Sequence, residues 1–319
     1  MSTTSKALEG ANRIGTVAMN AYREAVRARI LHGLLGAALA TCAYALLVAG
    51  LSLHQEARVV ADIGAASMSL YAVLVAVLLG ATSLYREIEL KTIFPILTRP
   101  LRRHEYLVGK YLGTMATLVV FVLLDTAAIL AILAAESNAN PWAIAGVLGG
   151  AAVLLVIFLI RAKYTRAFVL IPWAFALVGA TAWLAAPAGS ERQLVLASAA
   201  LTICETAIIA AVATLFASFS SPFLTALFTL GVFFVGRSAE TLAKLPVRMF
   251  GKTLQTTGKV LAHVFPNLQI YVPPRPLLLG EVAATPTWPF VLESAAHAAC
   301  YAAVLVAVAV AIFRKRDFL

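Results

Sequence analysis

Charge is scarce in this sequence. Only 13% of its 319 residues are Asp, Glu, Lys or Arg, 61% are hydrophobic, and the mean hydropathy is +0.90. A globular domain carries about 25% charged and roughly 45–50% apolar residues. A soluble core of this size cannot absorb such an excess, so lipid must be the solvent for most of the chain. Cysteine is scarce as well: Cys42, Cys204 and Cys300 each sit in an apolar run. They show no metal-ligand spacing and no setting for a disulfide, and read as small packed side chains. The five histidines are scattered and form no zinc motif. Paired His, Ser/Lys and metal-binding clusters are missing, which argues against an intramembrane enzyme. A phosphate-cradling loop is missing too, because that motif needs G-x-x-x-x-G-K-[ST] after a strand. The only Gly-Lys-Thr is 251–253, and Pro246 stands where the first glycine belongs. The N-terminus lacks the short apolar core of a signal peptide, so the first hydrophobic run is expected to serve as an uncleaved insertion signal. No repeat, Gly/Ser linker or soluble domain is visible.

The hydrophobic runs themselves are long. A spanning helix needs about 20 predominantly apolar residues, and eight segments qualify: 31–53, 63–84, 111–135, 142–160, 167–186, 194–217, 222–238 and 291–313. None alternates in the manner of a membrane β-barrel, and backbone groups in hydrocarbon must bond within their own helix. The expected fold is all-α, a polytopic helical bundle of eight membrane helices. A six-helix alternative leaves the pair 142–186 outside. With the N-terminus in the cytoplasm, seventeen of the 25 basic residues fall on the cytoplasmic side, as the positive-inside rule requires. Both termini are then cytoplasmic, and the expected location is a bacterial inner membrane. A net charge of +10 would suggest nucleic acid in a soluble protein; here the charges lie between apolar runs and set topology, and no nucleic acid is expected. Residues 1–30 form a cytoplasmic N-terminus whose Arg13, Arg23, Arg27 and Arg29 among apolar neighbours suit an interfacial helix. Residues 31–319 form the transmembrane domain, with an external amphipathic connection over 239–290.

One dense polar block interrupts this pattern. Between Tyr85 and Gly113 the chain places six basic residues (Arg86, Lys91, Arg99, Arg102, Arg103, Lys110) and three acidic ones (Glu87, Glu89, Glu105). Helix connections in bundles usually take 2–8 residues, whereas this segment, 85–110, is about three times as long. Ile88, Leu90, Ile93, Phe94, Ile96 and Leu97 alternate with its charges, so it is amphipathic and should fold against the membrane surface or a partner. Pro95 limits its first helix, and Pro100 suits the opening turn of a second. On these grounds a docking element and a plain anchoring loop stand level.

Two carboxylates, Asp125 and Glu205, sit inside apolar runs at similar depth, roughly 18–21 Å from the same helix ends at 1.5 Å per residue. A charge at helix centre costs about 2.5–3.5 kcal/mol on insertion scales. The sequence shows no Lys or Arg near that level to neutralise them. They are candidates for a hydrated pathway or subunit interface, or else protonated members of a packed bundle. His297 and Glu293 are expected to meet headgroups or the outer loop.

The run RE-I-E-x-K-T-x-x-x-x-L-x-R-P-L-x-R-x-E-Y-L-x-G-K-Y-L-G resembles the cytoplasmic signature of type-2 ATP-binding-cassette (ABC) exporter permeases. It is most similar to the branch of nitrous-oxide-reductase maturation and gliding-motility permeases. The matching positions are Glu87, Glu89, Lys91, Thr92, Leu97, Arg99, Pro100, Arg103, Glu105, Gly109 and Lys110. Further likenesses follow in the family's order: Ala21–Arg29 to its interfacial entry helix, Leu215–Ala226 to a helix turn, Phe265–Tyr271 to the stretch before its last helix, and Phe313–Phe318 to its tail. The extra pair at 142–186 departs from the family's usual six helices. The resemblance implies a transport subunit, not an enzyme, with 85–110 as the gate and coupling segment. It implies a homodimer or pseudo-dimer of permeases and a separate ATPase subunit that holds ATP and Mg, with no cofactor on this chain. The apolar outer region points to an amphiphilic or lipid-like cargo. The alternative is an ion-gradient-driven secondary transporter that uses Asp125 and Glu205, although the inverted repeats common in such folds are not visible.

Overall fold

The computed structural model describes residues 3–52, 55–89, 102–137, 139–161, 166–244, 256–261, 265–273 and 287–315. Ten helices are named here in chain order: α1 (Thr3–Val26), α2 (Arg29–Ala49), α3 (Glu56–Glu89), α4 (Arg103–Glu136), α5 (Pro141–Arg161), α6 (Arg166–Leu184), α7 (Ser190–Ala217), α8 (Pro222–Arg237), α9 (Ala239–Ala243) and α10 (Thr287–Lys315). Short 3₁₀ turns cover Ala186–Ala188 and Leu268–Tyr271. No strand occurs among the described residues. Seven of the helices (α2 to α7 and α10) are long and apolar enough to cross a membrane. The protein is an all-helical, multi-pass membrane protein.

Seven of the eight runs read from the sequence are therefore helices of spanning length, including both members of the 142–186 pair. The eighth is corrected in length. Residues 222–238 fold as α8, only 16 residues and thus about 24 Å, short of the roughly 30 Å hydrocarbon layer. Ser221 precedes it in extended conformation and Pro222 opens its first turn, where a missing N–H costs nothing. The 239–290 connection is seen only in part, as α9, the helical turn 256–261 and the 265–273 segment.

Three helices form the centre: α3, α4 and α7 pack on one another, and their facing sides are fully buried at Met68, Ala72, Ala76, Leu118, Phe121, Leu201 and Ile208. Ala72 and Ala76 let the backbones approach among these larger side chains, since lipid offers no hydrophobic drive for association and close packing takes its place. Around the centre, α10 lies on α7 and α4, α2 on α3, and α6 on α4. Helix α5 is outermost. It leans mainly on α6 and buries none of its own side chains.

Both α3 and α4 have 34 residues, about 51 Å each, so together they overshoot the hydrocarbon layer. They run antiparallel and overshoot at the same end, and these projecting turns carry the two arms of the polar block. Helix α1 joins them there.

Candidate functional site

At that end α1 is laid against the first three turns of α4. The two backbones touch because α4 has glycine where they meet. A Cβ on Gly113 would lie 2.6 Å from the Ala21 Cβ and 3.0 Å from the Tyr22 nitrogen, and one on Gly109 would lie 2.6 Å from the Val17 Cβ. Charges then clamp the pair. Glu105 is buried, accepts a 3.0 Å hydrogen bond from the Arg102 backbone N–H, and lies 3.9 Å from the Arg13 guanidinium. The carboxylate thus satisfies one of α4's open N-terminal donors and suits the positive end of the helix dipole. Lys110 is also buried. Its ammonium donates to the Ser83 carbonyl of α3 at 3.2 Å and pairs with Glu24 of α1 at 3.6 Å. Burial pushes the Tyr22 hydroxyl, on α1 beside this contact, up to about 12.

The last helix ends at the same place. Arg103 donates to the Arg314 carbonyl at 3.0 Å, and the rings of Tyr106 and Phe313 stack with centroids 6.3 Å apart. Lys110, Glu105 and Arg103 therefore tie the ends of α1, α3, α4 and α10 into one polar platform. Of the residues matched to the coupling signature, Arg103, Glu105, Gly109 and Lys110 are brought together here. Glu87 and Glu89 lie in the last turn of α3. Lys91, Thr92, Arg99 and Pro100 lie outside the described residues.

A scan against protein-family models returns no match, and a search of curated proteins returns none either.

The second constellation is midway along α7. Glu205 of α7 is fully buried, accepts a 2.9 Å hydrogen bond from Ser69 of α3, and forms a 2.6 Å ion pair with Arg237. Arg237 also reaches the Ser69 oxygen at 3.4 Å. The sequence-based expectation that no cation lies near this carboxylate is wrong, and the cause is the shortness of α8. The helix starts just after the α7 turn and runs back along α7, so its last residue arrives level with the middle of α7. Read as a full crossing, the same arginine would sit at the membrane surface.

The segment before α10 closes over this pair. Pro266 and Leu268 press on the end of α8, where a Cβ on Gly236 would come within 2.6 Å of the Pro266 carbonyl oxygen. Tyr271 is buried, shares a 2.8 Å hydrogen bond with Nδ1 of His297 on α10, and packs beside α7. Burial pushes the Tyr271 hydroxyl well up, with Cys204 and Glu205 adding to the effect. His297 thus meets the segment that precedes its own helix.

Asp125 stands apart from this cluster. It is fully buried in α4, with the Cys42 thiol of α2 donating to Oδ1 at 3.5 Å and no hydrogen-bond partner for Oδ2 among the described residues. The next residue, Thr126, touches the Met68 sulfur of α3 at 3.2 Å, while Ser69 serves Glu205. Adjacent residues of α3 therefore separate the two carboxylates, which share a depth but not a site. Sequence reasoning missed Ser69, Cys42 and Arg237. A single arginine ending an apolar run only 16 residues long was the one available signal.

Proposed function

We propose that this chain is the permease subunit of an ABC exporter, with the α1 end in the cytoplasm. ATP and Mg would be held by a separate ATPase subunit, and two permeases would pair in the membrane. The observation that supports it is the platform at the α1 end. Lys110, Glu105 and Arg103 join four helix ends, so a push on segment 86–110 is delivered to α1, α3, α4 and α10 at once. A block that only anchored a loop would not need a buried lysine bridging three helices, because an exposed lysine satisfies topology at far lower desolvation cost. Closure of the ATPase pair would move the platform, tilt α3 and α4 against α7, and switch access from one membrane face to the other. An amphiphilic cargo fits the apolar outer helices. The ion pair of Glu205 with Arg237 weakens the secondary-transporter reading, since it leaves Asp125 as the one carboxylate of the two without a basic partner.

The purified chain alone should neither bind nor hydrolyse ATP, and it should co-purify with an ABC ATPase when both are expressed. Exposed ion pairs contribute about 0–1 kcal/mol each, so the combined Glu87→Lys and Arg99→Glu change is the informative variant. It should leave insertion intact and abolish stimulation of the ATPase by the permease. Nucleotide affinity in the isolated chain, or an unchanged ATPase rate in the double variant, would count against the proposal.

Orientation is separately testable. Arg161, at the end of α5, should lie on the cytoplasmic side, and Ser190, at the start of α7, outside. In a background with Cys42, Cys204 and Cys300 replaced, Arg161→Cys should resist an impermeant thiol reagent in intact cells and react after permeabilisation. Ser190→Cys should react in both. Labelling of both positions in intact cells would exclude the arrangement.

A further inference from the structure

A groove of about 830 Å³ runs along the outside of the bundle between α4, α7 and α10. Its α10 wall is a ladder of alanines at four-residue spacing, with Ala299, Ala303 and Ala307 exposed, and α4 supplies Val108, Leu112 and Met115 opposite. Residues four apart share one helix face, so the ladder is a smooth channel along the membrane normal. At the α1 end the lining changes sharply. There the groove meets a second cavity of about 470 Å³ lined by Arg102, Arg103, His104 and Arg314, of which His104 and Arg314 line both. Among the described residues, no carboxylate lines either cavity.

The dimensions suit one leaflet. From Arg314 back to Ala303 is eleven positions of helix, roughly 16 Å, about half of a hydrocarbon layer of roughly 30 Å. Three guanidinium groups and an imidazole therefore crown a slot one acyl chain deep. Basic pockets between membrane helices are a recurrent way to hold anionic headgroups.

We propose that this groove binds an anionic glycerophospholipid from the leaflet at the α1 end. Its phosphate sits among Arg102, Arg103, His104 and Arg314, and one acyl chain lies along the alanine ladder between α10 and α4. Charge selects this occupant over a second copy of the chain. A two-fold contact through α10 would bring Arg314 towards its own equivalent and set like charges against each other. The inference does not depend on the transport reading, since it concerns a lipid held at the bundle's flank.

Native mass spectrometry on detergent-purified full-length chain, titrated with dioleoylphosphatidylglycerol and dioleoylphosphatidylcholine, tests it. Phosphatidylglycerol should bind at least about tenfold more tightly than phosphatidylcholine. Combined Arg102→Gln and Arg314→Gln should weaken phosphatidylglycerol by about 30-fold, some 2 kcal/mol at about 1 kcal/mol per charge, and leave phosphatidylcholine unchanged. Ala307→Phe should fill the slot and weaken both lipids. The charge variant sits at the surface, so its lipid-free unfolding midpoint should match the parent's and keep the result interpretable. Equal affinity for the two lipids, or phosphatidylglycerol binding unmoved by the charge variant, overturns the proposal. So does efficient cross-linking of Ala303→Cys between copies in membranes, in a background with Cys204 and Cys300 replaced, because a second copy would then cover the groove.

Discussion

Arg237→Ala should be the most destabilising single change in the membrane interior. Removing one partner of a buried ion pair typically costs about 3–5 kcal/mol, because the other charge is left without compensation. The lower end applies here, since the arginine side chain keeps 31% of its surface exposed while Glu205 keeps none. Among the described residues Ser69 would then be the remaining hydrogen-bond donor to the carboxylate, one hydroxyl against a charge that costs about 2.5–3.5 kcal/mol even on insertion scales. The loss should also loosen the end of α8 and the Pro266–Tyr271 segment seated on it. Adding Glu205→Gln should recover most of the stability, because the neutral amide can still accept from Ser69. Unfolding of the detergent-solubilised protein by titration with a denaturing detergent measures both variants. If Arg237→Ala unfolds at the parent's midpoint, the ion pair contributes nothing. If the double variant is worse than the single, the buried charge is not the source of the cost.

Gly113→Leu should detach α1. A side chain there has nowhere to go: its Cβ alone would overlap the Ala18 carbonyl and the Ala21 methyl, and these are backbone and first-carbon atoms that cannot rotate away. Overpacking in a close-packed contact costs about 1–3 kcal/mol. In this position the strain is released by lifting the helix rather than by repacking it. That raises the open population of α1 by roughly five- to a hundredfold at 1.4 kcal/mol per factor of ten. Tryptic cleavage after Arg13 and Arg23 should accelerate accordingly, and under the transport reading stimulation of the ATPase should fall with it. Gly33→Leu is the matched control, because nothing lies within 4 Å of a Cβ built there. Equal cleavage of the two variants would show that α1 does not depend on this contact.

The sequence was most legible where lipid leaves the chain no choice. A backbone in hydrocarbon must satisfy its own hydrogen bonds, so apolar runs as long as 111–135 or 194–217 could only become helices, and α4 and α7 follow with their polar ends attached. The amphipathic segment at 12–30 overlaps α1, through arginines set among valines and isoleucines, although that helix starts at Thr3 and ends at Val26, with Arg29 and Ile30 opening α2. Charge density marked the polar block, and Gly109 and Lys110 within it, without saying what they touch. Composition carries no distances: that Gly109 admits Val17, or that Lys110 bridges α1 and α3, depends on which helices pack side by side.

The mid-membrane residues divide along the same line. Their identity as costly buried carboxylates was fixed by the apolar runs around Asp125 and Glu205, since any charge in such a run must be explained. Whether each has a partner was decided by tertiary structure alone. Glu205 meets Arg237 because α8 is short and folds back along α7, while among the described residues the hydrogen-bond partner of Asp125 is the Cys42 thiol of α2. Helix formation is dictated by local periodicity and the absence of water, and the residues themselves carry that information. Pairing across 32 positions, as between Glu205 and Arg237, depends on where a helix stops and which neighbour it lies against, and the packed bundle alone settles both.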